Sequence, residues 1–91
     1  MSEQDEEPKI AVALQYDSDT DDAPRVVAIG RDHVAGAILA IAREHNVPIR
    51  EDKALAGVLA NLDLNAYIPP EMYRAVAEVL SWVYKMDQPK R

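Results

Sequence analysis

The hydrophobic period of this chain changes at Gly30-Arg31-Asp32, and that change limits what it can fold into. Ahead of it, Ile10, Val12 and Leu14 alternate with Ala11, Ala13 and Gln15. A second apolar run, Arg25-Val-Val-Ala-Ile29, follows. A repeat of two belongs to strands, and the first strand carries small residues on its second face. Beyond Asp32 the apolar residues return at helical spacing. Strands followed by helices imply a small sheet with helices packed on it, an α/β domain.

The acidic stretch from Asp17 to Ala23 separates the two strands, and Pro24 presets the entry to the second. A connection of this length suits a hairpin-like pairing. Asp32 is placed to cap a helix over residues 33–45 with its carboxylate, and Val34, Ala37, Ile38, Ile41 and His45 form its stripe, ending near Asn46. Pro48-Ile49-Arg50-Glu51 reads as a very short third strand. Asp52 caps the next helix, in which Leu55, Val58, Leu59 and Leu62 share a face. Residues 63–70 connect it to a last helix opened by Pro70, where Met72, Tyr73, Val76, Ala77, Val79, Leu80, Val83 and Tyr84 supply two apolar flanks. The expected order is β-β-α-β-α-α around a small mixed sheet. Residues 1–8 read as a disordered acidic arm, 9–86 as one domain and 87–91 as a polar tail.

Ninety-one residues hold one core, and a chain of this size buries only about 60–65% of its unfolded surface. Cysteine is absent, which excludes disulfides, zinc ribbons and thiol nucleophiles. There is no apolar run long enough to span a bilayer, and the acidic N-terminus is unlike a signal peptide. The net charge of −6 argues against nucleic acid, because binding a polyanion requires clustered Lys and Arg. Two acidic runs, residues 3–7 and Asp17-Ser-Asp-Thr-Asp-Asp22, read as a solvated tail and a solvated loop. The second lacks the glycine turn and the twelfth-position Glu of a calcium loop, so no metal is expected there.

Enzymatic chemistry finds no support either. His33 and His45 lie about three helical turns apart, and their acidic neighbours Asp32 and Glu44 point to other faces. The serines are Ser2, Ser18 and Ser81, none in a Gly-x-Ser-x-Gly setting. With three glycines in the chain, neither common phosphate-cradling loop can be written. No cofactor is implied.

Several segments carry a family likeness in order and spacing. They are Ala11-Val-Ala-Leu-x-Tyr-Asp17, Ala23-Pro-x-Val-Val-Ala-x-Gly30, Asn46-Val-Pro48, Ile68-Pro69 and Tyr73-x-Ala-Val-Ala-Glu-Val-Leu-x-Trp-Val83. Over residues 10–86 the chain resembles the cytoplasmic C-terminal domain of the FlhB/YscU-type export-switch proteins of flagella and type III secretion systems. Taken singly, Val26, Val27, Val76, Leu80 and Trp82 are also what a core demands.

The resemblance implies three things. In that family the chain cuts itself at Asn-Pro-Thr-His, where the Asn side-chain nitrogen attacks its own carbonyl. The positions here hold Glu6-Glu7-Pro8-Lys9. A carboxylate has no such nitrogen, so self-cleavage is not expected. Family members carry a transmembrane domain ahead of this segment, so a free-standing cytoplasmic copy of the switch domain is implied. Finally, the family is thought to recognise early export substrates through a shallow apolar depression, whose positions match Ala23, Pro24, Ala77 and Leu80. The expected partners are therefore export-apparatus proteins or early export substrates. The alternative is an acidic accessory module whose 17–22 loop docks a basic partner without an export role.

Overall fold

The computed structural model describes residues 9–17 and 19–87, so the arm expected at 1–8 and residues 88–91 of the expected tail lie outside the described residues. β1 (Ile10–Gln15) pairs antiparallel with β2 (Arg25–Arg31). The register runs from Ile10 opposite Arg31 to Gln15 opposite Arg25 and shifts once, because Ala13 faces Ala28 while Leu14 faces Val26. Val27 is the extra residue of this β-bulge. That explains two adjacent valines in a strand that otherwise alternates.

Opposed residues share a face, so the pairing sorts the sheet into two sides. Ala11, Ala13, Ala28 and Gly30 make a side of small residues, while Val12, Leu14, Val26 and Ile29 make an aliphatic one. α1 (His33–Glu44) packs on both strands. It comes so close that a Cβ on Gly30 would sit 2.6 Å from Val34 Cγ1 and 2.7 Å from Ile38 Cδ1. The aliphatic side meets Leu59, Ile68 and Val76, which form the core cluster with Val26. Leu55, Leu62, Met72 and Leu80 pack around that cluster. α2 (Lys53–Leu59), a 3₁₀ turn (Pro70–Met72) and α3 (Tyr73–Asp87) supply most of these residues, and the connector between α2 and the 3₁₀ turn supplies Leu62 and Ile68.

The α/β class and the three helices match the sequence reading, but three details differ. The segment 48–51 pairs with no strand among the described residues, so the sheet has two antiparallel strands instead of a mixed set. The outer edge of β2 is met instead by the connector. Tyr67 bridges Arg25, Val26 N–H donates to Ala66 O at 2.9 Å, and Asn65 N–H donates to Val26 O at 2.6 Å. Pro48 has no N–H to offer a ladder. A side-chain contact fastens its neighbour Arg50, whose guanidinium lies 6.0 Å from the Trp82 ring centroid.

The second difference is the phase of α1. Ala35 is fully buried and Ile38, Leu39 and Ala42 are half-buried, whereas Val34 is 54% and Ile41 57% exposed, and Ala37 and His45 also face outward. Residues 34–42 are apolar without interruption, so no phase was privileged by composition. The inward side centres on Ala35, whose short side chain lets the helix lie close to the small-residue side of the sheet.

The third concerns Asp32. Its carboxylate makes no cap bond, and its backbone sits at φ 53°, ψ −116°. The turn is held by its main chain, which donates to Lys9 O at 3.0 Å and accepts from Gly36 N–H at 3.1 Å. Asp52 does cap α2, accepting the Leu55 N–H at 3.0 Å. Asn46, at φ 59°, terminates α1 in the left-handed conformation that Asn tolerates.

Candidate functional site

An open depression of about 220 Å³ lies where the entry to β2 meets the first half of α3. Its lining is Tyr16, Asp22, Ala23, Pro24, Tyr73, Val76, Ala77 and Leu80. All four residues singled out in the sequence, Ala23, Pro24, Ala77 and Leu80, thus meet at one place, although more than fifty positions separate the two pairs.

Each wall has a local cause. Ala23 and Pro24 are buried, and the Pro24 carbonyl accepts the Ile68 N–H at 2.9 Å. A proline there has no N–H left to satisfy, and the short Ala side chain leaves space above the strand entry. On α3, residues 73, 76, 77 and 80 follow the spacing that places side chains on one helix face. Val76 is 1% exposed and belongs to the core, Leu80 is half-buried beside it, and Ala77 faces outward. The depression is a place where the core comes to the surface. It measures less than the roughly 300–1,000 Å³ of typical small-molecule sites.

Sequence reasoning missed Tyr16, Asp22, Tyr73 and Val76 as lining residues. For Tyr73 and Val76 a signal was available, since both lie on the helical stripe that holds Ala77 and Leu80. Tyr16 and Asp22 bracket the acidic loop, and pairing of the flanking strands brings them to the depression. Within that loop, Asp17 O accepts from Thr20 and Asp21 N–H at 3.1 and 2.8 Å. Asp17 Oδ1 accepts from Asp19 N–H at 2.9 Å, and Asp21 Oδ2 accepts from Asp17 N–H at 3.0 Å. Asp22, the loop's last acidic residue, is exposed and is the one charged member of the lining. His33 and His45 are exposed at the two ends of α1, and no helix among the described residues is long and apolar enough to cross a membrane.

Comparison with known proteins places this geometry. The family model described as "FlhB HrpN YscU SpaS Family" matches residues 8–83. An uncharacterized protein, YlqH of Bacillus subtilis (strain 168), is 45% identical over 78 residues, covering 86% of this chain and 84% of that protein. The flagellar biosynthetic protein FlhB of Borreliella burgdorferi is 47% identical over 79 residues, which are 86% of this chain but 21% of that protein. The chain thus spans about a fifth of such FlhB relatives. Among solved structures, the PscU C-terminal domain superposes with a TM-score of 0.79 at 29% identity, covering 82% of this chain and 96% of that one. A mutated EscU/SpaS C-terminal domain gives 0.81 at 28% identity, with 85% and 96% covered. This chain belongs to the FlhB HrpN YscU SpaS family.

Proposed function

We propose that this chain is a non-cleaving export-switch module that binds protein components or early substrates of a flagellar or type III export apparatus through the depression at Ala23, Pro24, Ala77 and Leu80. The observation that carries the reading is the convergence of those four side chains on one apolar surface fed by the core. Membership of the family supports the export context. The binding is reversible and makes or breaks no bond. An aliphatic side chain seated in the depression contributes about 1.5–3 kcal/mol before ordering costs, which sets a modest affinity suited to transient engagement. In a cell holding a full-length relative, the module competes with, or stands in for, that relative's C-terminal domain, in the cytoplasm and recruited to the membrane apparatus.

Glu6-Glu7-Pro8-Lys9 supplies no side-chain amide at the position where the family's Asn attacks. The purified chain is expected to keep one intact mass on prolonged incubation, and a fragment beginning at residue 7 or 8 would overturn this part of the proposal. Docking is tested by pull-down of purified early rod or hook subunits and export-apparatus proteins with wild type, Leu80→Asp and Ala77→Glu. Leu80 packs against the core, so its variant needs a folding check, but Ala77 is exposed and its variant should fold normally. Capture by wild type and loss in both variants is the expected result. Capture that survives both variants and collapses with salt favours the acidic accessory reading, and no capture at all refutes the export role.

A further inference from the structure

The depression carries a charge signature that its apolar character conceals. Asp22 is the one charged side chain in a lining otherwise made of Ala, Pro, Val, Leu and two Tyr, and no cation is part of it. Arg74 and Glu78, the charged residues of α3 beside the lining stripe, are exposed, offset each other and lie outside the lining. The chain continues from Asp22 back into a loop that also carries Asp17, Asp19 and Asp21, while Arg25, which follows Pro24, has its guanidinium over the Tyr67 ring and is not part of the lining. A ligand that covers the apolar wall removes water from beside Asp22 and lowers the local dielectric. A charge brought there by the ligand is then felt more strongly than at an open surface.

Resting on the docking reading above, we propose that the depression takes a protein segment that carries a Lys or Arg next to its apolar anchor, with Asp22 setting the preference. The same carboxylate repels segments with an acidic residue at that position, so discrimination comes as much from exclusion as from attraction. Because Asp22 is exposed, the effect is the modest one of a rim charge, about two- to fivefold in affinity. It acts on specificity within a set of apolar ligands and leaves the anchor to supply most of the binding.

The test is a titration of the full chain, followed through its backbone amide NMR shifts, with two synthetic peptides. One reads Ser-Gly-Lys-Leu-Ala-Ala-Leu-Gly-Ser and the other has Glu in place of Lys. The proposal expects both to shift the amides of Ala23 and Ala77, with the Lys peptide bound about two- to fivefold more tightly at low salt. The gap should narrow in Asp22→Asn and close at about 1 M salt, where the Debye length falls to about 3 Å. Equal affinities for the two peptides, with shifts still centred on the depression, overturn the charge preference and leave the docking reading standing. No shift at the depression with either peptide overturns the docking reading and this inference with it.

Discussion

Replacing Gly30 by Ala tests the layering of the fold more sharply than any core truncation. An added Cβ would lie 2.6 Å from Val34 Cγ1, 2.7 Å from Ile38 Cδ1 and 2.9 Å from the backbone carbonyl carbon of Val34. The Ile38 tip can rotate away, but Val34 is stiff at χ1 and its backbone cannot yield unless the first turn of α1 lifts off the sheet. Overpacking of this kind costs about 1–3 kcal/mol. The lower entropy of the unfolded chain on going from Gly to Ala offsets about 0.4–1 kcal/mol of that. The net loss is about 1–2 kcal/mol, and at about 4–8 °C per kcal/mol for a domain of this size the melting temperature should fall by about 5–15 °C. Gly36 in α1 and Gly57 in α2 are internal controls, since a Cβ at either meets nothing within 4 Å. There the same substitution should stabilise by about 0.5–1 kcal/mol, because Gly is the weaker residue in a helix. Circular-dichroism melts of the three variants decide the matter. A Gly30→Ala protein as stable as wild type, or three shifts of one sign, would refute the close approach of α1 to β2.

Other substitutions address the turns and the core. Asp32→Gly should raise the melting temperature, because a non-glycine residue at φ 53°, ψ −116° costs about 1–3 kcal/mol and its carboxylate makes no cap bond to lose; a lower melting temperature would show that the side chain matters. Asp52→Ala removes the acceptor of the Leu55 N–H and should cost about 1 kcal/mol, seen as a lower urea midpoint with an unchanged slope. Ile68→Ala empties a site that is 2% exposed and should cost about 2–5 kcal/mol, a large share of what a small domain possesses. A midpoint within error of wild type would mean that the 65–68 connector is not part of the cooperative core.

What the sequence disclosed depended on whether a residue's role was decided locally. The β1 alternation, the Asp52 cap, the Asn46 stop and the proline-opened last helix follow from nearest neighbours, and each stands where expected. The phase of α1 was not local. With residues 34–42 apolar throughout, the inward face was set by the small residues of the sheet it met. Asp32 misled for a related reason: the turn is closed by its main chain, including a bond to Lys9 that no local pattern announces. The connector was underestimated most. Ile68 is among the most buried side chains, and residues 65–68 take the edge of β2 that the sequence reading left unassigned while it placed a strand at 48–51. The four depression residues were grouped by family resemblance alone, because Ala23-Pro24 and Ala77-Leu80 have no physical link until the chain has folded.

Once folded, that link is held from both sides, and this bears on the proposed docking. One wall is tied down by main-chain bonds: Pro24 O accepts from Ile68, and two residues further on, Val26 exchanges bonds with Asn65 and Ala66. The other wall hangs on Val76, which is shared between the core cluster and the depression, as Val26 and Ile68 are shared between the core and the strap that holds the first wall. The site therefore exists before any ligand arrives, and the ordering cost of binding falls mainly on the ligand. Two consequences follow from the shared residues. A ligand that binds the folded chain alone must raise its stability by mass action. Conversely, on the docking reading proposed above, a core substitution at Val76 or Ile68 should weaken binding even though Ile68 is not part of the lining. On that reading, the recognising surface lies on the outer side of the cluster that folds, so core substitutions should move stability and recognition together, whereas exposed Ala77 offers a change in recognition alone.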